Sequence, residues 1–252
     1  MIQEAFVTHT DARFLPLSEI LVRGLARFSR RPVVVFGVDV DIPYDAPNLI
    51  KRRIESQGEH IAYLKFRAIL DSGVERGIYL DADNVPNRGV DALFSAPEEL
   101  GGVGGYPLLP RHPRDLGDEV NGGFMARLGV RAKSMPYVHS CALAFAPSCR
   151  PFLEECREVG RDCDRRGEHP PVVDETIVNV LLWQHGATRH LPSCNIPHRF
   201  FERYLDGTYV GDPEFESRYR GHPYHFHTFH YCKDPARARA MLDRLLASPS
   251  GL

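Results

Sequence analysis

The stretch Arg76-Gly77-Ile78-Tyr79-Leu80-Asp81-Ala82-Asp83-Asn84-Val85-Pro86-Asn87 decides how the rest of the chain is read. Its apolar core is too short for a helix and is followed by turn formers, so Ile78 to Leu80 is predicted to be a buried strand. On an extended backbone, residues two apart leave on the same side, so Asp81 and Asp83 would emerge together at the strand end. At a separation of ~4 Å their charges repel by about 4 kcal/mol at an effective dielectric of about 20, a cost that a cation between them removes. Two oxygen-bearing carboxylates suit a hard divalent ion, which also takes phosphate oxygens as ligands.

Two other Asp-x-Asp triplets compete. Asp39-Val40-Asp41 follows the apolar run Val33 to Val38 but runs into Pro43 and Pro47, which predicts an irregular loop. Asp162-Cys163-Asp164 lies in a charged segment and is read as solvated surface.

Upstream, Ala5 to Thr8 reads as a first strand. Phe14, Leu17, Leu21, Leu25 and Phe28 then recur every three or four residues, predicting an amphipathic helix with Pro16 in its first turn. Val33 to Val38 is a fully apolar strand, of the kind covered on both faces of a sheet. Ile61, Leu64, Ala68, Ile69 and Leu70 predict a second helix, stopped by Asp71-Ser72-Gly73. Strand, helix, strand, helix, strand implies an α/β fold with a mainly parallel central sheet flanked by helices, in which ligands bind beyond the carboxyl ends of the strands.

Downstream, residues 95–113 are rich in Pro and Gly and read as a long loop that could close over a site. Tyr137 to Phe145 reads as a strand, Ser148 as the cap of a helix bearing Phe152, Cys156 and Val159, and Asp174 as the start of a helix reaching His185. Cys149, Cys156 and Cys163, spaced by seven, would share one helical face as small buried hydrophobes. A last amphipathic helix follows Pro235, with Met241, Leu242, Leu245 and Leu246 on its apolar side. Between these helices His222, His225, His227, His230, Cys232 and Lys233 fall within twelve residues. A self-contained zinc site, ordinary loop and core histidines, and a histidine joining the Asp81/Asp83 metal are all open to this cluster.

The chain has 252 residues, with 43% hydrophobic and 25% charged, which is the composition of an ordinary globular domain. A net charge of −2 makes no electrostatic case for nucleic acid as a partner. No apolar run approaches the ~20 residues that span a bilayer, and the Met1 end does not read as a signal peptide. The expectation is a cytoplasmic protein without a transmembrane segment, with contact at the inner membrane face left open. Six cysteines form no C-x-x-C pair, so zinc-ribbon and redox motifs are unsupported.

The order of these pieces resembles a GT-A fold glycosyltransferase, most of all the glycogenin and lipopolysaccharide-galactosyltransferase group. Tyr79-Leu80-Asp81-Ala82-Asp83 is similar to that group's metal-binding signature, and Asp174-Glu175-Thr176-Ile177-Val178-Asn179 to its Asp-Gln-Asp-x-x-Asn helix start. Its His-x-x-Gly-x-x-Lys-Pro motif matches in part: His227 and Lys233 keep the spacing, whereas His230 replaces the glycine and Asp234 precedes Pro235. The resemblance implies one domain over residues 1–252, with a nucleotide-binding half to about residue 94, an acceptor-binding half to about 235 and a C-terminal helix from 236. It implies Mn2+ or Mg2+ held by Asp81, Asp83 and His227, with His225 and His230 as alternatives to the histidine. It further implies diphosphate contacts by Lys233, a basic helix residue near the nucleotide at Lys65 with Arg67 behind it, and base or ribose contacts by Thr8 and Asp11. The implied activity is transfer of a hexose from a UDP-sugar, with retention, to an acceptor that is a glycan, a lipid-linked glycan, a protein or a small molecule.

The residue types make chemical sense on their own. A leaving nucleoside diphosphate gains negative charge, which a metal and a lysine stabilise. A carboxylate near the sugar, Glu175 or Asp174, could stabilise a cationic centre, attack it, or deprotonate the acceptor. Two rivals remain. A haloacid-dehalogenase-type phosphatase also ends a strand in Asp-x-Asp, but near the chain start and followed by glycine. A catalytically silent nucleotide-sugar-binding protein would use the same residues.

Overall fold

The computed structural model describes residues 1–95, 104–107, 117–130, 138–185, 189–190, 195–219 and 226–248. Much of the expected 95–113 loop, together with His222 and His225, lies outside these residues.

The apolar runs become the centre of a seven-stranded sheet. β1 (Ile2–Thr10), β2 (Val33–Val38) and β4 (Val74–Leu80) pair in parallel, with Val7 opposite both Val34 and Tyr79. β3 (Leu49–Ile54) adds a parallel edge beside β2. Its exposed Lys51, Arg52 and Arg53 explain why no strand pattern marks it: a charged edge resists pairing with another chain. On the other side β7 (Val138–Phe145) runs antiparallel to β4, followed by β6 (Gly104–Pro107) and β8 (Arg189–His190), giving the order β3-β2-β1-β4-β7-β6-β8. Four of these six pairings are parallel, as the alternation of elements predicts.

Helices cover both faces. α1 (Leu15–Phe28) and α8 (Pro235–Ala247) pack on one, burying Leu17, Leu21 and Leu25 with Met241, Leu242 and Leu245. α2 (Leu64–Leu70), α3 (Gly117–Arg127), α4 (Arg150–Arg166) and α5 (Val173–His185) belong to the other. Cys149, Cys156 and Cys163 are buried there as expected, and Asp162 and Asp164 lie half-buried within α4. Ser148 does not cap α4; it sits in a 3₁₀ turn, and Cys149 holds the cap position without a side-chain bond. Asp234, an oddity as sequence, caps α8 by accepting the Ala236 amide at 2.9 Å ahead of Pro235 in the first turn.

A second sheet closes the strand-end side. β5 (Val85–Pro86) pairs antiparallel with β10 (Thr228–His230), which pairs in parallel with β9 (Asn195–Pro197). The short helices α6 (Phe201–Asp206) and α7 (Pro213–Tyr219) bring Phe201, Tyr204 and Phe215 against Phe226 and Phe229. Close approach fixes two glycines. A Cβ on Gly24 of α1 would stand 2.4 Å from Pro86 of β5, and one on Gly77 of β4 would stand 2.1 Å from the Phe145 ring of β7. The second contact seats the strand that leads into Asp81.

Candidate active site

β1 and β4 end side by side, and a cleft of about 260 Å³ opens beyond them between α2 and the start of α5. Asp81 and Asp83 stand on it where β4 gives way to a turn, closed by the Asn84 amide on the Asp81 carbonyl at 3.1 Å. The Asp81 amide donates to the Cys141 carbonyl at 2.9 Å, so β7 positions the turn.

Lys65 organises the floor. α2 buries it to 2% exposure, and its ammonium lies 2.5 Å from Asp174 Oδ2, 2.9 Å from the Ser140 carbonyl, 3.0 Å from Asp81 Oδ1 and 3.2 Å from Ser140 Oγ. Burial would pull its pKa down, but the Asp174 and Asp81 carboxylates outweigh that and hold it above the ordinary lysine value. Asp174 occupies the first turn of α5, where the helix dipole favours an anion, and it also accepts the Ser140 hydroxyl at 2.7 Å. Asn179, one turn on, holds α5 to β7: its Oδ1 accepts the Val138 amide at 2.7 Å and its Nδ2 donates to the Val138 carbonyl at 2.8 Å. The clamp sets Asp174 beside Ser140.

Tyr79 backs the pair from the strand. Its hydroxyl donates to Asp81 Oδ1 at 2.9 Å and stands 2.9 Å from His9 Nδ1, whose ring holds the Ile61 carbonyl through Nε2 at 2.9 Å. Burial keeps His9 below the usual histidine pKa, with the Asp81 charge opposing it, and lifts the Tyr79 phenol well above its normal value. Asp83 is pushed up to about 6, first by burial and then by the Asp81 charge, while Lys233 pulls it back. An acidic pair that resists double ionisation is the donor set a divalent ion relieves, and its oxygens fit Mn2+ or Mg2+.

Six of the sequence-predicted site residues meet here: Asp11, Lys65, Asp81, Asp83, Asp174 and Lys233 all line the cleft. Asp11 also accepts the Phe14 amide at 3.0 Å, shaping the entry to α1. Arg67 turns away from the cleft toward Asp71 and Glu59. Three others do not line it. Thr8 lies two residues short of the end of β1, buried on the face that carries Phe6. Glu175 is 3% exposed beneath the floor, its carboxylate 3.4 Å from the Ser140 amide and 3.5 Å from His139 Nδ1. His227 is buried, its backbone carbonyl accepting the Asn87 amide at 2.7 Å, and it is not among the residues that line the cleft.

Tyr231 and Lys233 line the cleft, with Tyr231 held at φ +63. His9, Ser140 and Tyr231 escaped the sequence reading. Only Ser140 carried a signal, as one of two adjacent polar residues in an otherwise apolar strand.

The architecture is a GT-A fold, an α/β domain with a mainly parallel central sheet flanked by helices. The galactosyltransferase LgtC in complex with donor and acceptor sugar analogues superimposes with a TM-score of 0.61 at 14% identity, over 98% of each chain. An active-site Gln-to-Glu mutant of LgtC gives 0.62 at 15% identity with the same coverage. The bifunctional glycosyltransferase WbbM, in its apo form, gives 0.63 at 13% identity over 98% of this chain and 50% of its own. No protein-family profile and no curated protein sequence matches the chain. At these identities the likeness establishes the fold. Among the described residues no helix is long and apolar enough to cross a membrane.

Proposed function

We propose that the chain is a metal-dependent glycosyltransferase that moves a hexose from a nucleotide-diphosphate sugar to an acceptor hydroxyl. The observation that carries this reading is the convergence of Asp81, Asp83, Lys65, Asp174 and Lys233 on one cleft at the carboxyl ends of parallel strands. Asp81 and Asp83 would hold Mn2+ or Mg2+, which supplies positive charge for the departing diphosphate. Lys233 is exposed at the rim, free to reach phosphate oxygens that Lys65, engaged by four oxygens below, would leave to it.

Lys65 holds Asp81 and Asp174 at one ammonium, so the carboxylate nearest the sugar is fixed relative to the diphosphate subsite. Asp174 takes the role that the sequence shared between it and Glu175, because it lines the cleft and Glu175 does not. Its carboxylate stabilises positive charge growing at the sugar or accepts the acceptor proton. Glu175 braces the Ser140 amide from below. Asp11 and Thr10, at the end of β1, face the same cleft on the side expected for base and ribose. Uracil as the base and retention at the sugar rest on the resemblance of the motifs.

A panel of nucleotide sugars incubated with Mn2+ and read for released diphosphate tests the proposal. Release from one donor, lost in Asp83→Ala, is the expected outcome. Release of phosphate from simple monoesters instead would move the chain to the phosphatases, and tight nucleotide binding without turnover across an acceptor panel would make it a binding protein.

A further inference from the structure

Beneath the cleft, on the side of β7 away from Lys65, lies a second cluster that the transfer reaction leaves unused. His139 and Cys141 of β7 meet His230 of β10, all three buried, with one donor atom of each within 4.8 Å of the others. The donor set is chemically distinct from the Asp81/Asp83 pair: two imidazoles and a thiol instead of carboxylates.

The surroundings orient these donors. The Asn195 side chain, fully buried on β9, spans two of them: its Oδ1 lies 2.6 Å from His230 Nδ1 and its Nδ2 is 2.9 Å from Cys141 Sγ. Since an amide oxygen only accepts, His230 carries its proton on Nδ1 and presents the Nε2 lone pair. His139 Nε2 meets the Tyr231 hydroxyl, and its Nδ1 accepts the Cys141 amide at 3.2 Å and lies 3.5 Å from the Glu175 carboxylate. Ligating histidines are held through one nitrogen while the other binds, as His230 is by Asn195; for His139, binding through Nδ1 would displace the long Cys141 amide bond.

We infer that His139, Cys141 and His230 form a binding site for a soft or borderline divalent ion of the zinc class, separate from the hard-ion pair above it. Imidazole and thiolate donors select zinc over manganese or magnesium. Bond lengths of roughly 2.0–2.3 Å put tetrahedral ligands about 3.3–3.8 Å apart, so the cluster would draw in by about 1 Å around the ion. Three protein donors leave one position open. Binding releases the Cys141 thiol proton to solvent, and the thiolate forms the bond to the ion. The Cys141 carbonyl accepts both the Asp81 amide at 2.9 Å and Asn84 Nδ2 at 3.2 Å, so an ion on the sulfur would brace the turn that carries the acidic pair.

The test is metal binding by the full chain after chelation, with Zn2+ and Co2+ alone as probes. One zinc per chain is expected, retained in Asp83→Ala, which loses diphosphate release under the transferase reading; the two proposals therefore fail separately. Co2+ in the wild-type protein should show a thiolate charge-transfer band that disappears in Cys141→Ser and persists in Cys232→Ser. Asn195→Ala, which removes the orienting amide, should weaken zinc by about 10- to 100-fold. No zinc retained by Asp83→Ala, a cobalt spectrum without a thiolate band in wild type, or a band that survives Cys141→Ser would overturn the inference.

Discussion

Replacing Lys65 by methionine keeps most of the side-chain stem and removes the ammonium shared by Asp81 and Asp174. Removing one member of a buried ion pair costs about 3–5 kcal/mol, because the partner charge stays behind without compensation. The Asp174 side chain is 13% exposed, but that of Asp81 is 32% exposed and partly screened by water, which places the cost at the lower end, about 3 kcal/mol. For a chain of this size about 2–4 °C of melting temperature goes with each kcal/mol, so Lys65→Met should melt about 6–12 °C lower. The lysine pKa is raised on folding, so its stabilisation is fully present below the unfolded value and is lost only as pH climbs through the folded one. The gap should therefore be flat across neutral pH. Added Mn2+ supplies positive charge to the same carboxylates and should narrow it. Thermal unfolding of both proteins with and without Mn2+ measures all of this. A loss under about 2 °C, or a gap that Mn2+ leaves untouched, would refute the view that one ammonium neutralises the floor.

Other expectations follow from the same geometry. Asp83 titrates near 6 in the fold, above its unfolded value, so protons compete with the metal: Mn2+ affinity measured by calorimetry should fall by up to about tenfold per pH unit below about pH 6 and level off above it. The same shift makes ionisation of Asp83 cost stability as pH rises from about 4 to 6 in metal-free protein, which denaturant melts would show as a decline. Asp174→Asn should lower turnover by about 100-fold or more while nucleotide binding persists, as steady-state rates and nucleotide titrations would report. Gly77→Ala would press a Cβ into the Phe145 ring and should destabilise the chain by about 1–3 kcal/mol in urea, with a larger effect on Mn2+ binding than a surface glycine such as Gly58 replaced in the same way.

What the sequence disclosed is set by which signals survive folding unmixed. β2 is buried along its whole length and therefore reads as an unbroken apolar run, while β1 and β4 show as strands through their buried apolar segments, Ala5 to Val7 and Ile78 to Leu80. β3 was invisible because an edge strand keeps charge on its open side, and Lys51-Arg52-Arg53 reads as a loop cluster until β2 is seen beside it. Asp81 and Asp83 were legible because two carboxylates ending an apolar run need a reason. Lys65 and Asp174, distant along the chain, could be joined only through the resemblance.

The residues that do not line the cleft share a cause. The motif of the resemblance paired His227 with Lys233, whereas in the fold the His227 carbonyl accepts the Asn87 amide and Tyr231 and Lys233 line the cleft. Adjacent residues on a helix point about 100° apart, so only one of Asp174 and Glu175 could face the site, and the Asn179 clamp selects Asp174. His139 and Cys141 gave no sign of meeting His230, because their contact depends on two sheets coming together.

The central claim is that one divalent ion bridges the acidic pair and a nucleoside diphosphate. A crystal grown with Mn2+ and UDP tests it directly, read from the anomalous signal of manganese. The account predicts a peak within coordination distance of both the Asp81 and Asp83 carboxylates, with diphosphate oxygens completing its shell and Lys233 turned toward them. Nucleotide bound in the cleft with no manganese between those two side chains, or manganese bound elsewhere, would contradict it.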